Sequence, residues 1–144
     1  MLIGVQASGK TTFYKENYFN THIRISNDQL KTKNRERLLL EFCKNAKISF
    51  VLDNTNITKE VRQKYIKFIK DMNIPVIGYY FKTNLKQVLL RNSNRCKKEK
   101  VPDVGVLSMY KKLEIPSYEE GSTKLYYVDS SENKFTIQEW QDEV

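Results

Sequence analysis

Short apolar runs alternate along this chain with stretches in which apolar residues recur every three or four positions. Residues 1–4 (MLIG) form a stub of strand, residues 10–17 a helix, and residues 22–25 (HIRI) a second short strand. Residues 32–47 place Leu38, Leu39, Phe42 and Cys43 on one stripe of an amphipathic helix, and residues 48–52 (ISFVL) read as a buried strand. Thr58 caps a helix running to Met72, with Val61, Tyr65, Phe68 and Ile69 on its inner stripe. Residues 74–81 (IPVIGYYF) are the strongest strand, followed by a helix over 85–92, a basic loop and a short helix near 104–113. Residues 125–129 (LYYVD) are the last clear strand, and residues 135–140 add an edge element. Strands separated by helices of this length need crossover connections, and so a mostly parallel sheet. The pattern predicts an α/β fold of about five strands flanked by helices, in one domain over residues 1–144.

Charge divides that domain unevenly. The formal net charge is +8, of which residues 82–112 carry +7 and residues 113–144 carry −6. A basic block ahead of an acidic tail (about 130–144) suggests that the middle of the chain meets phosphates, on a nucleotide or a nucleic acid; a solvated lysine-rich surface is the plainer reading. No apolar run approaches the ~20 residues that cross a bilayer, so no membrane partner is expected. The start has no basic-then-apolar leader, and Cys43 and Cys96 fit no metal-ligand spacing, so a cytoplasmic location with reduced thiols is expected.

Residues 4–11, Gly-Val-Gln-Ala-Ser-Gly-Lys-Thr, match G-x-x-x-x-G-K-[ST] in full, between a strand and a helix. Glycines let the backbone curl so that successive N–H groups face phosphate oxygens, and the helix beginning at Lys10 adds its positive dipole end. Gly4, Gln6, Ala7, Ser8, Gly9, Lys10, Thr11 and Thr12 are therefore the expected nucleotide-binding residues, with Lys10 bridging the β- and γ-phosphates and Thr11 ligating Mg²⁺. Residues 1–3 are fewer than the roughly five of an ordinary strand, so a few native residues are expected ahead of Met1.

Two acids follow strands. Asp28, past the second strand, lies where α/β sheets bind ligands and is placed either to take a proton from an attacking hydroxyl or to cap the next helix. Asp53 ends the third strand and either orients Mg²⁺, holds the acceptor or starts a turn; Asn54, Thr55 and Asn56 after it are neutral donors suited to a sugar or phosphate. Arg91 and Arg95 are four apart, on one face if helical, and match a transferring phosphoryl group; the plainer reading is cations at a helix end.

GVQASGKTT, DNTN and RNSNRCKKEKVPDVGVLSMYKKL resemble the phosphate loop, strand-end motif and lid of the polynucleotide 5′-hydroxyl kinases. THIRISNDQLKTKNRERLLL and KLEIPSYEEGSTKLYYV resemble a broad group of small bacterial ATP-binding kinases classed with the AAA proteins. The resemblance covers roughly residues 1–130. It implies a P-loop kinase using ATP and Mg²⁺, with Lys10, Asp28, Arg91 and Arg95 catalytic, Asp28 as the base, and a lid at about 94–104. It also implies Thr11 and Asp53 at the metal, and Asp28, Lys31, Asp53 and Thr55 at the acceptor. Lys31 stands where those kinases carry an arginine on the acceptor's phosphate, and a lysine lacks the bidentate fork; Asn27 stands where they carry a basic residue. The expected acceptor is the 5′-hydroxyl of an RNA or DNA end, with a nucleoside or sugar as the alternative. An ATP-binding regulatory module that hydrolyses slowly is the rival from another class, and a nucleic-acid-binding module working through its basic segment alone is a further one.

Other residues read as structural. His22 precedes a strand, most of the Tyr and Phe residues fall at core spacing, and Trp140 packs the C-terminal segment onto the domain. Tyr110 and Tyr118 are the better candidates for an exposed stacking surface.

Overall fold

The computed structural model describes residues 1–132 and 134–141. Among the described residues, six strands and six α-helices follow in the order β1 (Leu2–Ile3), α1 (Lys10–Asn17), β2 (Ile23–Ile25), α2 (Asn27–Leu30), α3 (Lys33–Ala46), β3 (Phe50–Leu52), α4 (Lys59–Ile69), β4 (Ile77–Phe81), α5 (Leu85–Ser93), α6 (Asp103–Lys112), β5 (Lys124–Asp129) and β6 (Thr136–Glu139). Two short 3₁₀ turns, Lys70–Met72 and Tyr118–Glu120, complete them.

The sheet is mostly parallel. Strand β4 pairs with β1 on one side and β5 on the other, both parallel, while β6 adds an antiparallel edge to β5. Residues 136–139 of the acidic C-terminal segment are thus a paired strand, with Trp140 stacked on Tyr127 at 4.2 Å; residues 133 and 142–144 of that segment lie outside the described residues. Strands β2 and β3 form a separate parallel pair. The division follows from the brevity of β1: the chain there reaches the segment after β3 through Asn56 Nδ2, which donates to Leu2 O at 2.8 Å, and, just past the strand, Gly4 N–H, which donates to Thr55 O at 2.9 Å. An apolar groove of about 520 Å³, lined by Met1, Phe50, Val76, Ile77 and Tyr79 among others, continues the line of β1 between β3 and β4.

Each face of the sheet is covered. Phe13 and Tyr14 of α1 pack on Leu2, Val51, Phe81 and Val128, while Leu40 and Cys43 of α3 and Tyr65 of α4 pack on Ile25 and Leu52. Val88 of α5 and Val106 of α6 close over Val5, fixing the helices on either side of the basic loop to the start of the phosphate loop.

Two stripes differ from the sequence expectation. Helix α3 buries Glu36, Leu40 and Cys43 and leaves Leu38 and Phe42 about half exposed, because it turns an acid inward and the apolar stripe shifts with it. Helix α4 buries Arg62 and Ile66 along with Tyr65 and Ile69, and exposes Val61. The reason is Arg62, whose Nε and Nη2 grip Glu120 at 2.6 and 2.7 Å while Nη1 donates to Asn56 O. That ion pair is fully enclosed, and it fastens the segment after β3 to the turn before β5.

Candidate active site

The loop between β1 and α1 is the centre of the site. Ala7 (φ 60°) and Gly9 (φ 96°) both adopt left-handed backbone, which turns the chain so that residues 5–9 wrap a concavity ahead of α1. A Cβ on Gly4 would lie 2.9 Å from Ser8 Oγ and 3.0 Å from Phe81 Cβ, so the loop closes this tightly only with glycine there. Lys10 crosses the cradle: its Nζ donates to Gly4 O, Val5 O and Ser8 Oγ at 2.9, 2.6 and 3.4 Å. Burial pushes the Lys10 ammonium down to about 8. Asp53 and Asp28 act against that shift and Arg95 with it.

Asp53 is 4% exposed, directly beyond β3. Its Oδ2 accepts from the Thr11 hydroxyl at 2.9 Å and from Arg24 Nε at 2.7 Å, and Arg24 Nη2 reaches Thr11 Oγ1 at 3.3 Å. A hydroxyl and a carboxylate side by side are hard oxygen donors of the kind Mg²⁺ takes when phosphates and water complete its shell. The residues present fit that ion. Among the described residues no cluster of three acids, histidines or cysteines offers a protein-only metal cage.

Arg24 was not singled out by sequence reasoning. Its signal was the alternation of Ile23-Arg24-Ile25, which turns a lone cation away from the apolar partners at the carboxyl end of a buried strand.

Asp28 is exposed in the first turn of α2, the helix that follows β2. The cap of the next helix, α3, is Thr32, whose Oγ1 accepts from Arg35 N–H. Lys31, exposed and left-handed (φ 71°), ends α2. Thr55 contributes its carbonyl to Gly4 N–H. Two of the expected neutral donors are spent inside the protein: Asn56 is buried against Leu2 O and Leu52 O, and Asn54 bridges Glu36 and Asn27.

Arg91 and Arg95 separate. Helix α5 ends at Ser93 and Arg95 N–H turns back to Asn92 O, so the helical spacing that would put both arginines on one face stops between them. Arg91 binds Ser130, through Nη1 to the hydroxyl at 2.8 Å and Nη2 to the carbonyl; Ser130 Oγ in turn donates to Ser8 O at 3.3 Å. Arg95 lies in the basic loop with Nη1 on Glu99 O. Asn92, fully buried, closes the neck of that loop by pairing both ends of its amide with Val101. Of the remaining candidates, His22 shares a bond with Thr21 and Tyr110 packs in the Val88–Val106 cluster, whereas Tyr118 is exposed.

The chain resembles known proteins. A family model described as an AAA domain (AAA_33) matches residues 1–116. The bifunctional polynucleotide phosphatase/kinase of Schizosaccharomyces pombe (strain 972 / ATCC 24843) is 28% identical over 132 residues, covering 87% of this chain. The chain spans only 32% of that relative's length. Among solved structures, Chaetomium thermophilum Kti12 in complex with ADP-AlF3 superposes with a TM-score of 0.68 at 16% identity, over 90% of this chain and 88% of that one. A gluconokinase from Sinorhizobium meliloti 1021 does so with a TM-score of 0.64 at 15% identity, over 91% and 81%. The fold is that of the P-loop kinases, a mostly parallel central sheet flanked by helices.

Proposed function

The chain belongs to the AAA_33 family of AAA domains, and from that premise we propose that it is a kinase. It moves the γ-phosphate of ATP to a hydroxyl, most readily the 5′-hydroxyl of a polynucleotide. The observation that carries this reading is the bonded set at the phosphate loop: Lys10 Nζ crosses it to Gly4 O, Val5 O and Ser8 Oγ, and beside it the Thr11 hydroxyl meets the Asp53 carboxylate. Phosphoryl transfer passes through a loose transition state, so positioning and charge neutralisation supply most of the acceleration.

In this reading residues 4–12 cradle the β- and γ-phosphates with backbone N–H groups, and Lys10 exchanges its loop carbonyls for phosphate oxygens. Thr11 and Asp53 would hold Mg²⁺, which would supply positive charge to the phosphates. Arg24 keeps the Asp53 carboxylate aimed at Thr11. Asp28 takes the proton of the acceptor hydroxyl as that oxygen attacks, and Arg95 spreads its guanidinium over the developing charge. Arg91, bound to Ser130, braces the phosphate loop from behind. The polynucleotide acceptor is supported by the likeness to the phosphatase/kinase of fission yeast and by the exposed Lys97, Lys98 and Lys100 beside Arg95. Exposed Lys31 favours a second acceptor class, a small hydroxyl compound with no phosphate to be forked.

The test is transfer of label from γ-³²P-ATP with Mg²⁺ to 5′-hydroxyl RNA and DNA oligonucleotides, to a nucleoside panel and to water, beside Asp28→Ala. Labelled oligonucleotide, lost by roughly 10²–10⁴-fold in the variant with ATP affinity kept, is the expected result. Labelled nucleoside alone replaces the acceptor and keeps the mechanism. Slow phosphate release that Asp28→Ala leaves unchanged sinks the kinase reading in favour of a nucleotide-dependent regulatory module.

A further inference from the structure

The turn that carries Asp28 has little of its own to hold it. Helix α2 is four residues long, well under the length at which a helix persists unaided. Its N-cap, Ser26, makes no side-chain capping bond, and Ser26 Oγ is buried without a partner. The first N–H of the helix, on Asn27, instead donates to Asn54 Oδ1 at 2.8 Å, across from the end of β3.

An amide side chain has a donor end and an acceptor end of nearly the same shape, so a neighbour decides which end faces Asn27. That neighbour is Glu36. Its Oε2 accepts from Asn54 Nδ2 at 3.2 Å and its Oε1 from the Tyr65 hydroxyl at 2.6 Å, with Lys33 Nζ at 3.8 Å as its charge partner. An ionised carboxylate only accepts, so it compels Asn54 to turn Nδ2 toward it and Oδ1 toward Asn27. Glu36 is buried among Leu40, Tyr65 and Cys43 in the interior layer of α3 and α4. An apolar side chain of that size would be cheaper to enclose there. Burial pushes the Tyr65 phenol up from its usual range, which keeps it a donor to the carboxylate.

We propose that Glu36 is a positioning residue for the Asp28 carboxylate, acting through the Asn54 side chain and the Asn27 backbone. This rests on the kinase reading, in which Asp28 is the base. The line Tyr65–Glu36–Asn54–Asn27 joins α4, α3 and the end of β3 to the catalytic turn, and its side-chain hydrogen bonds run among its own members rather than to the nucleotide cradle. Its loss therefore misplaces the base and leaves nucleotide binding in place.

The test exploits the polarity of the Glu36–Asn54 bond. Asn54→Asp puts a second carboxylate against Glu36. Glu36→Gln with Asn54→Asp reverses the bond. The new amide at position 36 then donates to the new carboxylate at position 54 while still accepting from Tyr65, and that carboxylate still accepts from Asn27 N–H. Three readouts are taken on wild type, Asn54→Asp and the double variant: kcat for labelling a 5′-hydroxyl oligonucleotide (or the nucleoside that wild type labels), phosphate release to water, and ATP affinity by calorimetry.

The expected result for Asn54→Asp is a fall of about tenfold or more in kcat for the acceptor. ATP affinity and release to water should stay within about twofold, and the double variant should recover to within about threefold of wild type. The inference is overturned if Asn54→Asp keeps its kcat, if the double variant fails to recover, or if transfer and ATP affinity fall together, as a purely structural role would make them. Failure of wild type itself to label any acceptor is seen before a variant is compared; it would instead overturn the kinase reading, and this inference with it.

Discussion

Around the phosphate loop, Lys10, Ser8 and Asp53 are buried and already engaged, Lys10 with three loop oxygens and Asp53 with Thr11 and Arg24. By contrast, Asp28, Lys31 and the basic-loop lysines 97, 98 and 100 stand exposed, and the turn bearing Asp28 leans on Asn54 for support. In the proposed reading the donor side is thus held by bonds within the protein, whereas the acceptor side depends on a short helix and a surface loop. Such a division suits a fold that keeps one phosphate donor and varies its acceptor, since a rigid cradle and an adaptable rim draw on different parts of the chain.

Breaking the donor side has the largest expected effect. Lys10→Met removes the ammonium that would span the phosphates, and transfer should fall by about 10²–10³-fold or more, with nucleotide affinity falling as well. Asp28→Ala, on the other side, should spare affinity, so calorimetry on the two variants separates the halves of the site; equal losses of affinity would erase the contrast. The next largest effect is on stability. Arg62→Leu strands the Glu120 carboxylate in a site that excludes water and frees Asn56 O, at a cost of about 3–5 kcal/mol in chemical denaturation. Arg62→Leu with Glu120→Leu should restore most of that. If the single variant is as stable as wild type, the segment after β3 is held by something other than this pair.

The same contrast explains what the sequence disclosed. The cradle is local: eight consecutive residues carry its glycines, lysine and hydroxyl, so a motif could be read directly. Strand and helix positions were legible for the same reason, with Lys10–Asn17 and the Thr58 cap as examples. Long-range polar bonds were not. Arg24 meets Asp53 across 29 positions, Glu36 meets Asn54 across 18 and Arg91 meets Ser130 across 39, and no periodicity records such pairs. The inward acid Glu36 and inward arginine Arg62 also displaced the apolar stripes expected on α3 and α4, because a buried ion or polar bridge takes a core position that hydrophobicity alone assigns to Leu38 or Val61. Arg91 and Arg95 would share a face only on a continuous helix, and α5 ends between them, close to the end expected from the sequence.

A pH series sharpens the donor side further. Burial depresses Lys10 from its ordinary 10.5 to about 8, so between those values the unfolded chain binds more protons than the folded one. The free protein should therefore gain stability as pH rises through that window, by at most about 1.4 kcal/mol per pH unit. Nucleotide affinity moves the other way, since bound phosphates favour the charged lysine: flat below about pH 8, it should weaken by up to about tenfold per pH unit above. Calorimetry from pH 7 to 9.5, with Lys10→Met as the pH-insensitive control, checks both signs. An affinity that stays level to pH 9.5 would mean that the ammonium is not what the phosphates meet.

The smallest effect probes the rim. Lys97, Lys98 and Lys100 are exposed beside Arg95, beyond the neck that Asn92 closes with Val101. Replacing the three with serine leaves that neck and the cradle alone, so ATP affinity should hold. For a polynucleotide acceptor, each lysine that meets a single-stranded phosphate contributes about 0.7 to the slope of log affinity against log salt. The triple variant should then raise the oligonucleotide KM several-fold at low salt and flatten the slope by up to about 2, with kcat little changed. For a small hydroxyl acceptor the same substitutions should change neither KM nor salt dependence, because no phosphate chain extends along the loop to be released. A flat response with an oligonucleotide that the protein does label would assign the basic segment to solvation, and the grip on the acceptor would fall to Lys31 and the turn around Asp28.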